Sequence, residues 1–152
     1  MKWIVDMEAF QIGGKWYPKE IALLNPVTLE WTSLMVKCNV PYKLVVNRHV
    51  LPTIKSQFAR HRIYWDEGEY TLAQAKQIIT GLVNMEVDTV FVKGDQKEKF
   101  FQSWFARLEQ IVAPTFKELC QYPKETCGKH NNHFCARRKC FELVPYVVDR
   151  NF

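Results

Sequence analysis

The apolar positions of this chain follow two periods. Lys2 to Glu8 (KWIVDME) is a short β-rich stretch flanked by the turn signal Gly13-Gly14, which predicts a strand. Trp16 to Leu24 (WYPKEIALL) follows at hairpin distance, and Thr32 to Lys37 (TSLMVK) supplies a third strand-like segment, so the first quarter of the chain predicts an antiparallel meander. The period then lengthens. Leu51, Ile54 and Phe58 recur at helical spacing across Leu51 to Arg60, behind a Pro-containing start. Thr71 to Val83 places Leu72, Ala75, Ile78, Ile79 and Leu82 on one helical face. Asp88 to Val92 is a continuous apolar run ended by Lys93-Gly94, as a buried parallel strand requires. Gln96 to Leu108 is amphipathic and predicts a helix, Glu109 to Val112 a short strand, Phe116 to Cys120 a helical turn, and Asn132 to Val144 a closing helix.

Three antiparallel strands followed by alternating helices and strands is the element order of the ribonuclease H-like fold, an α/β mixed sheet with flanking helices. The 152 residues suit one domain spanning 1–152, without internal repeats or a linker. A composition of 47% apolar residues with 6 Gly and 7 Pro excludes disordered and collagen-like classes. The net charge of +5 permits an anionic partner without demanding one. No apolar run approaches the ~20 residues that span a bilayer, and Asp6 and Glu8 interrupt the N-terminal apolar stretch where a signal peptide would be unbroken. The five cysteines are odd in number and no glycosylation sequon is present, so free thiols or metal ligands are expected in an intracellular protein, cytoplasmic or nuclear, with no membrane association. Cys120, Cys127, Cys135 and Cys140 crowd into one C-terminal segment.

Asp6 and Glu8 are two apart on a strand, so both carboxylates point to one face and repel unless a cation lies between them. This Asp-x-Glu pair resembles the first motif of the DEDD 3′–5′ exonucleases, in which such a pair bridges two divalent metals. At the other end, His130-Asn131-Asn132-His133-Phe134-Cys135-Ala136 resembles the last motif of the His-containing members of that group. In that motif an Asp follows the His after four residues. Cys135 stands at that position here, and thiolates prefer zinc to magnesium. Asp95 is the candidate for the middle motif, although Gln96 and Lys97 do not reproduce the family pattern. The exonuclease reading therefore implies Asp6, Glu8 and Asp95 as catalytic residues holding Mg2+ or Mn2+.

Cys127-x-x-His130, a later Cys, and a Glu in Pro18-Lys19-Glu20-Ile21 resemble the Maelstrom domain, a ribonuclease H-like domain of germline small-RNA pathways. Its zinc set of Glu, Cys, His and Cys carries over to Glu20, Cys127, His130 and Cys135. The interval from His130 to Cys135 is shorter than that family's, which keeps Cys140 as a competing fourth ligand. Independently of the resemblance, Cys-x-x-His puts two ligands on one tight turn, a recurring half-site for tetrahedral Zn2+. A ligand set of this composition is structural. Cys38 reads as a small core residue and His133 as a surface group.

Arg60, His61, Arg62, Tyr64 and Trp65 combine cations with flat rings, the mixture that contacts phosphates and stacks on bases of single-stranded nucleic acid. Arg137, Arg138 and Lys139 add a second basic cluster. Three functions stay open at this level. The first is a zinc-stabilised, ribonuclease H-like module that binds RNA or single-stranded nucleic acid through a degenerate exonuclease site. The second is an active metal-dependent exonuclease, and the third a protein-interaction adaptor. An active site of the exonuclease type needs about four metal-binding carboxylates, and only two, Asp6 and Glu8, are placed firmly.

Overall fold

The computed structural model describes residues 1–111, 127 and 134–148. Strand β1 (Lys2–Ile12) runs into β2 (Lys15–Leu24) through Gly13 and Gly14, whose φ values of 59° and 78° are those a two-residue primed turn needs. Strand β3 (Trp31–Met35) adds to the far side of β2 and completes the antiparallel meander. Two short helical pieces follow, α1 (Tyr42–Val45) and α2 (Leu51–His61), and then α3 (Leu72–Gly81). Thr71 caps α3 through a reciprocal pair of bonds with Gln74. Strand β4 (Thr89–Lys93), helix α4 (Asp95–Phe101) and strand β5 (Leu108–Ile111) return the chain to the sheet in parallel. Helices α5 (Ala136–Glu142) and α6 (Val144–Val148) close the described structure.

The sheet order is β3-β2-β1-β4-β5, with β1 parallel to β4 and antiparallel to β2. This mixed sheet with flanking helices is the ribonuclease H-like arrangement expected from the element order. Alternation along the strands separates two cores. Val5, Met7, Ile21, Leu23, Val90 and Val92 face α3 and the aromatic group Phe101, Trp104 and Phe105. Ile4, Ala22, Leu24, Phe91 and Ile111 face α5 and α6. Asp6 and Glu8 share the parity of Ile4, so they lie on the side of the closing helices. Among the described residues no helix is long and apolar enough to cross a membrane.

Some predicted boundaries differ. The helix expected over Gln96 to Leu108 stops at Phe101, with Trp104 N–H donating to the Phe101 carbonyl at 2.9 Å. The crossover must turn back to the edge of β4, where Val90 N–H donates to the Arg107 carbonyl, so the residues after Phe101 form the turn. The closing helix expected over Asn132 to Val144 begins after Cys135, which is extended at φ −117° and ψ 131°, and it breaks at Leu143. Pro145, without an N–H, cannot continue the ladder of α5. Of the predicted stripe on α3, Ala75 and Ile79 are buried while Ile78 and Leu82 stay substantially exposed. The turn expected over Phe116 to Cys120 lies outside the described residues.

Asp88 fastens the start of β1 to the start of β4, accepting from the N-terminal ammonium (2.7 Å), the Trp3 indole (3.0 Å) and the Asn84 amide (2.9 Å). These donors, the N-terminal ammonium foremost, hold its carboxyl at about 2 against an ordinary 3.8. A depressed folded value stabilises the fold above the unfolded value, and that contribution is lost as pH falls through the folded one. Thermal denaturation of Asp88→Asn should show a loss of about 1 kcal/mol at neutral pH, or roughly 2–4 °C in Tm. The variant should also lack the wild-type decline between pH 3.8 and about 2.

Candidate functional site

On the face of β1 that meets α5, Asp6 is 2% exposed and Glu8 is 8% exposed. Each carboxylate has its own ammonium. Lys97, in the first turn of α4, donates from Nζ to Asp6 Oδ1 at 2.7 Å, and Lys139 on α5 pairs its Nζ with Glu8 Oε1 at 2.6 Å. Asp6 Oδ2 is buried without a hydrogen-bond partner among the described residues. Burial pushes the Glu8 carboxyl above its ordinary value despite Lys139. Burial opposes charge on Lys139, but Glu8 and Asp6 outweigh it and hold that ammonium above its ordinary value. Lys93, at the end of β4, is pushed down by burial and then by the neighbouring Lys139 charge. Three lysines thus surround two carboxylates.

Asp95, expected as the third acidic ligand, is exposed at the first position of α4. The residue that reaches Asp6 from this helix is Lys97 instead. Neither Lys97 nor Lys139 stood out in the sequence as a partner of the acidic pair. The only signal was positional: Lys97 follows the middle acidic candidate by two residues, and Lys139 lies one helical turn beyond Cys135.

A second cluster lies on the neighbouring strand. Glu8 is paired in register with Glu20, next to an irregularity between Glu8 and Ala9 that leaves Lys19 as the extra residue of β2. Such a bulge re-aims side chains locally. Lys19 is fully buried and donates to the Trp65 carbonyl at 2.8 Å and to the Glu67 carbonyl. Glu20, also fully buried, accepts from Ser33 Oγ at 2.7 Å and from Ala136 N–H at 2.7 Å. Cys135 Sγ is 3.5 Å from the second Glu20 oxygen and accepts from Cys127 N–H at 3.2 Å. The ligand atoms of Glu20, Cys127 and Cys135 lie within 4.8 Å of one another, all buried. The Cys127 thiol, burial and the Glu20 charge push the Cys135 thiol far above its ordinary value. Two sulfurs and a carboxylate converging in a buried site form a donor set that a soft-to-borderline divalent cation fits. His130, the other residue of the expected set, lies outside the described residues. Cys140 is not in this cluster; its thiol lies 3.6 Å from the Ile4 carbonyl and 3.7 Å from that of Ala22.

The basic and aromatic candidates are divided between surface and core. Arg60 and Arg62 are exposed, and Tyr64 is 60% exposed. His61 and Trp65 are buried instead, because Trp65 packs on Phe10 and Tyr17 and donates its indole N–H to the Val40 carbonyl at 2.9 Å. The cations of α5 are engaged within the molecule. Arg137 stacks over Trp31 at 4.0 Å, Arg138 bonds Glu142 at 3.2 Å, and Lys139 holds Glu8.

No family model and no curated protein sequence matches this chain. Among solved structures, it is similar to an exonuclease domain of Mopeia virus determined fully depleted of manganese. The likeness has a TM-score of 0.55 and 13% identity, and covers 97% of this chain and 76% of that one. With the sheet order, it defines the chain as an α/β domain of the ribonuclease H-like fold, as the exonuclease domain is.

Removing one partner of a buried ion pair strands the other charge, at a cost of about 3 kcal/mol. Lys139→Met should lower stability by that order at pH 7 in chemical denaturation. Because the folded Glu8 carboxyl lies above its unfolded 4.5, the loss should shrink as pH falls through the folded value and Glu8 takes a proton. Glu8→Gln/Lys139→Met should recover most of the stability at neutral pH.

Proposed function

We propose that this protein is a zinc-stabilised, ribonuclease H-like module of the Maelstrom type that binds RNA or single-stranded nucleic acid and has a degenerate exonuclease site. The observation that carries this reading is the pair of lysines on Asp6 and Glu8. A two-metal nuclease needs its carboxylates open to cations and assisted by about two more acidic groups; here each carboxylate has an ammonium and Asp95 is turned out to solvent. The buried cluster of Glu20, Cys127 and Cys135 supports the zinc, with His130 as the fourth ligand. Such an ion would displace the thiol protons, hold Cys127 and Cys135 as thiolates beside Glu20, and tie the start of α5 to β2. The fold of a viral exonuclease domain and the exposed Arg60, Arg62 and Tyr64 favour a nucleic-acid ligand over a protein one.

Protein purified without chelator should carry one zinc per chain by elemental analysis, and chelation should lower its Tm. Cys127→Ser and Cys135→Ser should each lose the metal, whereas Cys140→Ser and Cys38→Ser should keep it. Zinc-free protein would remove the metal part of this reading. A magnesium-dependent exonuclease activity that disappears in both Asp6→Ala and Glu8→Ala would replace the binding module with an enzyme.

A further inference from the structure

We infer that Lys97 and Lys139 supply, as part of the chain, the positive charge that a metal-dependent nuclease recruits from solution, so that the cleft beside Asp6 and Glu8 holds a nucleic-acid phosphate without divalent metal. This rests on the nucleic-acid reading above and names its point of contact.

The two ammoniums come from different elements, α4 and α5, and converge on the buried acidic pair at 2.7 Å and 2.6 Å. An ammonium has three N–H donors and no acceptor. Lys97 uses one donor on Asp6, Lys139 is ion-paired with Glu8 and lies 5.2 Å from the centre of the Phe134 ring, and both side chains remain partly exposed, Lys97 by 20% and Lys139 by 30%. Both also line a cleft of about 250 Å³ together with Glu8, Arg60, Gln57 and Trp16. An adjoining hollow shares Trp16, Gln96 and Lys97 and adds Lys93 and Asp95. The two are lined by four cations (Arg60, Lys93, Lys97 and Lys139) and two carboxylates (Glu8 and Asp95); with Asp6, which Lys97 pairs, counted in, one positive charge remains in excess. A single phosphodiester neutralises that excess. Trp16, in the wall between the two hollows, provides a flat apolar surface beside it of the kind on which bases stack.

The same arrangement opposes a divalent cation. Mg2+ binds through carboxylate oxygens in strict octahedral geometry, and here it would have to displace two ammoniums beside a third, Lys93. Phosphate instead adds to the existing charges as the outer layer of an alternating stack of carboxylate, ammonium and phosphate. This is the order carboxylate, metal and phosphate of a two-metal site with the metal replaced by side chains.

Fluorescence anisotropy of a labelled single-stranded RNA, with and without magnesium, tests the inference. The variants are the charge-neutral pairs Asp6→Asn/Lys97→Gln and Glu8→Gln/Lys139→Gln, which bury no lone charge and leave the net charge unchanged. Wild type should bind equally in both buffers, and each pair should bind about tenfold more weakly, with a shallower salt dependence. RNA bound as tightly by both pairs as by wild type overturns the inference and leaves the nucleic-acid reading standing; no RNA binding by wild type overturns both. Inorganic phosphate followed by phosphorus NMR separates free phosphate from a phosphate within a chain. Line broadening that depends on the lysines, with RNA affinity that does not, overturns the nucleic-acid form. In a second arm, manganese should raise the Tm of Lys97→Gln/Lys139→Gln, whose carboxylates are bared, and leave that of wild type unmoved. A wild type stabilised by manganese in a manner abolished by Asp6→Asn overturns the claim that the lysines exclude metal.

Discussion

Three carboxylates buried on one face of the central sheet set the terms for everything around them. Asp6, Glu8 and Glu20 sit on adjacent strands, with Glu8 and Glu20 directly opposite in register. An ionised carboxylate withdrawn from water costs several kcal/mol unless charge or hydrogen bonds answer it. The fold answers each one differently. Asp6 has Lys97, Glu8 has Lys139, and Glu20 has the hydroxyl of Ser33, the backbone of Ala136 and the nearby Cys135 thiol.

Helix α5 carries most of these answers within six residues. Cys135, just before it, approaches Glu20; the Ala136 N–H at its first turn bonds the same carboxylate; Lys139, four residues beyond Cys135, reaches Glu8; and Cys140 buries its thiol against β1 and β2. The 3.6-residue period places Cys135 or Ala136 and Lys139 or Cys140 on one side of the helix, one turn apart. The thiol cluster and the lysine-capped pair are therefore mechanically one unit. A cation drawn into the cluster would fix the start of α5 and with it the placement of Lys139. The two lysines that meet the acidic pair thus come from two helices, α4 and α5, packed on the sheet that carries the pair.

The hydrophobic pattern was enough to read the meander, the capped helix α3 and the buried parallel strand β4, because each buries a face whose period its own residues display. Strand alternation was enough to single out Asp6 and Glu8 as a same-face pair; that Glu20 belongs with Cys127 and Cys135, which the fold brings together, was not in the pattern and came only from a family resemblance. The pattern did not foretell that α4 would end at Phe101, since the residues after it remain amphipathic and only the return to the edge of β4 stops the helix.

The side chains that close the carboxylate site were beyond the reach of the pattern for a different reason. Lys97 lies 91 residues from Asp6, Lys139 lies 131 residues from Glu8, and no local rule joins them. The sequence alone determined where the negative charge is concentrated, because strand alternation is local chemistry. Which cation meets it, and whether Trp65 and His61 face water or the core, was decided by the crossing of α2, α4 and α5 over the sheet. Burial makes an uncompensated charge costly, but the partner that compensates it is chosen by which distant side chains the packed helices bring within about 3 Å.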